Sequence, residues 1–121
     1  MVAKHFLPLI KDVENSTFTI ITGISGEKPV QPGTGLLTVG ESALYGLFTC
    51  IKEEFKDKKV RINEYRVGLQ VRPLEKLEPD NELMVSNLDL ARDLITRVIK
   101  NTSVRGNTIE ARTKDDLKLG P

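Results

Sequence analysis

Few side chains in this sequence have the type and spacing for chemistry. His5 is its only histidine and Cys50 its only cysteine. A zinc site takes about four ligands from Cys, His and carboxylates, and no spacing here supplies them. No Ser, Cys or Asp neighbours His5, so it reads as a surface or interface residue and not as a general base. Glu41 could be a carboxylate in a cleft; its plainer reading is a solvated helix residue on the rim of an apolar arc. Cys50 shares a helical stripe with Ala43 and Gly46, which points to close helix packing and not to a reactive thiol. The run Thr22-Gly-Ile-Ser-Gly26 superficially looks like a glycine-rich phosphate turn. It lacks a third glycine and continues into Glu27, Lys28 and Pro29, which do not start a helix. Lys56 to Lys59 could be an anion patch, but Asp57 lies inside it and a solvated turn is the better reading.

Composition narrows the classes. The chain has 121 residues, the size of one small domain, read here as residues 1–121. It is 39% hydrophobic and 29% charged, an ordinary balance for a folded chain. Lys and Arg total 18 against 17 Asp and Glu, so the basic excess of a nucleic-acid binder is missing. No apolar run reaches membrane-spanning length, and Met1 to Pro8 lacks the long apolar stretch of a secretory signal. The expectation is a cytoplasmic protein without nucleic-acid, membrane or metal partners.

Local patterns give the elements that would position these residues. Val2 to Lys11 reads as the end of a helix, with Val2, Phe6, Leu9 and Ile10 near one face. Thr17 to Thr22 is β-branched and aromatic, a strand signal. Gly23 to Gly35 is a Gly- and Pro-rich loop. Leu36 to Phe55 should be a helix with two apolar faces, Val39, Ala43, Gly46 and Cys50 on one side and Leu37, Leu44, Phe48, Ile51 and Phe55 on the other. Its apolar arc of roughly 200° is about twice that of an ordinary surface helix, so two faces need cover. A second strand falls within Val60 to Val71, and a polar loop follows over Arg72 to Glu82. Ser86 is a helix N-cap, with Asp89 three residues on. Leu90, Leu94, Ile95 and Val98 share the face of the helix it opens. Asn107 to Arg112 is a short third strand, and a loose polar tail is expected from Thr113. This alternation predicts an α/β fold, a partial Rossmann-like three-layer arrangement with about three parallel strands and right-handed crossovers.

Five stretches in this order resemble the C-terminal half of the short-chain dehydrogenase/reductase family. Phe18-Thr-Ile-Ile-Thr-Gly-Ile-Ser-Gly26 resembles the strand that ends in the family's catalytic serine. Gly40-Glu-Ser-Ala-Leu-Tyr-Gly-Leu47 resembles the Ser-Lys-Ala-Ala-Leu-x-Gly-Leu run of its central helix. Glu53 to Asn63 resembles Glu-Leu-x-x-x-Gly-Ile-Arg-Val-Asn, Gly68 fits the glycine of the following Pro-Gly, and Gly106-Asn-Thr-Ile109 resembles the Gly-x-x-(Ile/Leu) leading into the last strand.

The resemblance implies a Tyr-x-x-x-Lys pair, a proton-transferring tyrosine and a lysine that lowers its pKa and holds the nicotinamide ribose. Alignment puts Leu37 at the tyrosine position and Glu41 at the lysine position. Leu37 transfers no proton, and Glu41 would repel a developing phenolate. Shifting the alignment does not restore the pair, because Tyr45 is followed four residues on by Thr49 and Tyr65 by Leu69. The polarising serine falls near Gly23; Ser25 is a relic of it or, more plainly, a loop serine. Val67 replaces the proline before Gly68, and the family's phosphate-binding half has no counterpart here. The expectation is therefore no catalytic, cofactor-binding or metal-binding residues and a non-catalytic protein that acts by association, as a homo-oligomer through helix 36–55. The alternative is a fragment or subunit of an NAD(P)-dependent oxidoreductase, taking NAD or NADP only when completed by an N-terminal half. A nucleotide-binding protein without redox chemistry is disfavoured by the missing phosphate loop.

Overall fold

The computed structural model describes residues 2–119. Its centre is a parallel sheet of three strands, β1 (Thr17–Gly23), β2 (Arg61–Val67) and β5 (Thr108–Ala111), in the order β1-β2-β5. Thr17 pairs with Arg61 and Gly23 with Val67, while Glu64 pairs with Thr108 and Val67 with Ala111. The three runs expected to be strands are therefore the three strands of the sheet. Helices lie on both of its faces, and the fold is α/β and partially Rossmann-like.

Alternation along the strands sorts the faces. Phe18, Ile20 and Ile62 point to one side. They meet Phe48 and Ile51 of α2 (Gly35–Glu54), together with Ala3 of α1 (Val2–Phe6) and the following Leu7. Tyr65 and Ala111 point to the other side. They meet Leu90 and Leu94 of α3 (Asn87–Leu94) and Val98 of the π-helical turn Ile95–Ile99 that continues it. Ser86 caps α3 as its sequence suggests, its hydroxyl accepting a 3.0 Å hydrogen bond from the Asp89 N–H.

This placement corrects the expected handedness. Both crossovers, β1–α2–β2 and β2–α3–β5, step in the same direction across the sheet, so two of one hand would put both helices on one face. The helices lie on opposite faces, and one crossover is therefore left-handed. The right-handed preference arises where a twisted strand feeds its helix directly. Here residues 68–86 intervene between β2 and α3. They carry a small parallel sheet of their own, β3 (Gln70–Arg72) against β4 (Met84–Ser86), where a plain polar loop was expected. A connection of that length can carry the chain around the sheet's end to its far face.

Three further expectations change. The buried face of the first segment is Ala3, Leu7 and Ile10, whereas Phe6 and Leu9 face solvent. The side chain of Val2 lies outside the described residues. The stretch from Thr113 is not loose. Thr113 and Asp116 form a reciprocal cap around a helical turn, Leu117 packs under α3, and the Lys118 N–H donates to the buried Asp93 carboxylate at 2.5 Å. Gly120 and Pro121 lie outside the described residues. The two faces of α2 also fare differently. Phe48 and Ile51 are buried, but Val39, Ala43, Gly46 and Cys50 are exposed, with Leu36 89% exposed and Leu37 half exposed.

Candidate functional site at the carboxyl ends of the strands

In open α/β sheets, ligands bind in the crevice beyond the carboxyl ends of the strands. Here β1 and β2 end at Gly23 and Val67, and a cavity of about 270 Å³ opens between them. Ile24, Val30, Val67, Leu69 and Leu83 give it an apolar wall, and Ser25 and Gln70 bring polar side chains. Ser25 is 9% exposed. Gly68 lets the end of β2 pass close to the end of β5, since a Cβ there would lie 3.1 Å from the Arg112 Cα.

Helix α2 holds the β1 end of this crevice. The Gly23 N–H donates to Glu41 Oε2 at 2.9 Å, and the Tyr45 hydroxyl donates to the Gly23 carbonyl. The Ser42 hydroxyl donates to the Gly26 carbonyl at 2.6 Å. Gly26 lies so near the helix that a Cβ would stand 2.7 Å from the Tyr45 ring and 2.8 Å from Glu41 Cβ. Glu41 is thus a half-buried anchor, contrary to the expectation of a solvated rim residue. Its free oxygen and the Ser25 hydroxyl lie 3.5 and 3.4 Å from the point where a Gly23 Cβ would be.

The sequence reading missed the charged cluster beside this corner. The Arg66 guanidinium lies 3.8 Å from the Tyr45 ring centroid and binds the almost fully buried Glu64 at 2.6 and 2.8 Å. Arg66 and Arg112 both reach Glu27, and Arg112 also binds Glu110 at 2.7 Å. Alternating exposure could not reveal these residues, because β2 is central and buried on both faces while carrying Arg, Asn, Glu and Tyr. Burial raises the Tyr45 pKa. Arg66 opposes that shift, whereas Glu27, Glu64 and Glu41 add to it. Tyr45 therefore stays a protonated hydrogen-bond donor at neutral pH and has no phenolate with which to act as a base.

Other candidates lie elsewhere. Leu37 is in the first turn of α2 and has no proton to transfer. His5 is exposed on α1, and Cys50 is exposed without the packing partner expected for it. In the turn after α2, Lys58 and Lys59 offer their carbonyls to Arg105. On the far face of the sheet, the Tyr65 hydroxyl donates to Asp93 at 2.6 Å, and Arg97 binds the same carboxylate at 2.6 and 2.8 Å. Tyr65 and Asp93 are buried here, and the Arg97 side chain is 21% exposed. Among the described residues no group of three or more His, Cys, Asp or Glu could hold a metal ion, and no helix is long and apolar enough to cross a membrane. The crevice thus offers an apolar wall with the polar side chains of Ser25 and Gln70, and beside it the tethered Glu41 carboxylate, but among the described residues it brings together no nucleophile paired with a base. The chain matches no family model, no curated protein and no solved structure.

Proposed function

We propose that this chain is a non-catalytic, short-chain dehydrogenase/reductase-like protein that works by association, and that α2 is its contact surface. The observation that carries this reading is the exposed apolar face of α2. Leu36 and Val39 are 89% and 68% exposed, and Ala43, Gly46 and Cys50 continue the same side without a charge. Soluble chains seldom leave such a continuous apolar patch wet. The Leu37 and Glu41 positions and the protonated Tyr45 support the absence of dehydrogenase chemistry. A second copy is the simplest partner, since a two-fold contact places the same face against itself. Light scattering coupled to size exclusion tests this. The wild-type chain is expected at twice its 13.5 kDa or more, and Ala43→Arg at the monomer mass with its fold intact. A wild-type chain that remains a monomer at high micromolar concentration would sink the reading.

One observation favours a second reading, a subunit of an NAD(P)-dependent oxidoreductase completed by a separate N-terminal half. Among the described residues β1 is an edge strand, and its Ile21, on the α3 side, is 57% exposed. A further strand and helix would fit there. Under either reading these 121 residues should show no micromolar affinity for NADH or NADPH by calorimetry, because their one glycine-rich run, Thr22–Gly26, lacks the third glycine and does not open a helix.

A further inference from the structure

We infer that β1 pairs edge to edge with β1 of a second copy, antiparallel and about a two-fold axis at Thr19, a contact separate from the α2 face. Among the described residues no strand lies beyond β1 in the sheet. The Arg61 N–H donates to the Ser16 carbonyl, which fixes the alternation of the ladder. Ser16, Phe18, Ile20 and Thr22 thus turn their backbone groups toward β2, and Thr17, Thr19, Ile21 and Gly23 turn theirs outward. Gly23 is already engaged, its N–H with Glu41 and its carbonyl with the Tyr45 hydroxyl. That leaves Thr17, Thr19 and Ile21, each with an outward donor and an outward acceptor, and another strand completes such a row.

The spacing of those residues selects the partner. They lie evenly about Thr19, so an axis perpendicular to the sheet at Thr19 sets Thr19 against the partner's Thr19 and Thr17 against the partner's Ile21. Each facing pair exchanges two hydrogen bonds, and every outward group of both strands is then satisfied. An axis one residue to either side loses this. At Phe18 it sets Ile21 against the partner's Asn15, which lies outside the strand, and at Ile20 it sets Thr17 against the engaged Gly23. The side chains agree with the Thr19 centre. Phe18 falls opposite the partner's Ile20 on the α2 side, an aromatic against a β-branched residue. On the other side Ile21, 57% exposed, gains the partner's Thr17 as a neighbour. No charged residue occurs from Ser16 to Gly23, so the two-fold brings no like charges together. The result is one continuous mixed sheet with three strands from each copy. Its contact is short beside the roughly 20–30 residues a side of a stable interface, so the pairing is transient and leaves the mass in dilute solution to the α2 face.

The test places thiols along this edge in a Cys50→Ser background. Facing residues of a hydrogen-bonded pair have Cα atoms about 5.5 Å apart, within the reach of a disulfide. Under mild oxidation Thr19→Cys should form a linked dimer roughly tenfold faster than Thr17→Cys, whose two copies would lie about 14 Å apart along the strands. Thr17→Cys combined with Ile21→Cys should restore the linking, because those positions face each other. The same pattern is expected with Ala43→Arg added, which tells a failure here from a failure of the α2 contact. Hydrogen exchange on the unaltered chain gives the second readout. The Thr17, Thr19 and Ile21 amides should exchange severalfold more slowly as protein concentration rises from micromolar to millimolar, and those of Phe18 and Ile20 should not change. The inference is overturned if Thr17→Cys links as readily as Thr19→Cys, the mark of random collision, or if neither Thr19→Cys nor the double variant links. Protection of the three amides that does not depend on concentration would also overturn it, since a segment other than a second copy would then cover the edge.

Discussion

Glu41 sits where the resembling family has a lysine, yet its carboxylate accepts the Gly23 N–H at the end of β1. A lysine cannot accept that bond, so restoring the family's residues should harm this fold without creating an enzyme. Leu37→Tyr with Glu41→Lys is expected to lower stability by about 1–2 kcal/mol, the cost of leaving a partly buried backbone donor without its charged acceptor. NADH oxidation should stay at background. Denaturant melts and a spectrophotometric assay check the two halves, and reductase activity in the double variant would show that the proton-relay argument is wrong. The buried triad under α3 gives a second prediction. Asp93 is fully buried and holds Tyr65, Arg97 and the Lys118 N–H. Asp93→Ala strands Arg97, which is about a fifth exposed, so a loss of roughly 3 kcal/mol is expected, at the lower end for breaking a buried pair. Tyr65→Phe leaves the ion pair in place and should cost only about 1 kcal/mol. Equal losses in urea melts would mean that the hydroxyl, not the charge pair, dominates.

The elements show which signals a sequence carries. Thr17–Gly23 was legible because β-branched residues crowd one short run, and α3 because Ser86 and Asp89 give a cap that needs only local contacts. β3 and β4 were not legible, since three residues each are too few to show a period. Glu41 bonding Gly23 and Arg61 binding the carbonyls of Val98, Ile99, Asn101 and Val104 join residues 18 to 43 apart, beyond any local pattern. The hand of the second crossover depends on a 19-residue connection whose path no propensity encodes (residues 68–86). The docked tail was hidden for the same reason, and it yields a pH prediction. Burial alone would raise the Asp93 carboxyl, but hydrogen bonds from Arg97, the Lys118 N–H and Tyr65 outweigh it and hold the group below its ordinary value of 3.8. The Thr113 and Arg112 N–H groups hold Asp116 below 3.8 as well. Both groups are more acidic folded than unfolded, so their contribution to stability is full above that value and fades as pH falls below it. Urea midpoints should therefore stay level from neutral pH down to about pH 4–5 with respect to these two groups and drop below that. Asp116→Ala should flatten part of the drop and increase hydrogen exchange at residues 113–118.

At the scale of the whole molecule, the sheet ends on one side at β1, and nothing among the described residues guards that edge. Natural edge strands are usually protected by a charge, a proline, a bulge or a covering element. Thr17–Gly23 contains no charge and no proline, and it pairs in regular register along its full length. The bond from the Arg61 N–H to the Ser16 carbonyl sets the alternation of the ladder, so the backbone groups of Thr17, Thr19 and Ile21 point away from β2. Gly23 would be next in that row, but Glu41 and Tyr45 already hold its N–H and its carbonyl. The open edge is therefore short, uncharged and rich in β-branched residues, the composition of segments that pair between chains when they meet. Ile21→Lys places a charge on this strand at a side chain that is 57% exposed and contributes little to the core. The melting temperature should stay within about 2 °C, as for a surface substitution of about 0.5 kcal/mol or less. Turbidity on heating should appear later than in the wild type. If Ile21→Lys instead lowers the mass seen by light scattering while Ala43→Arg does not, the β1 edge, and not the α2 face, is where copies of the chain meet. Unchanged turbidity together with unchanged mass would mean that this edge drives neither aggregation nor assembly.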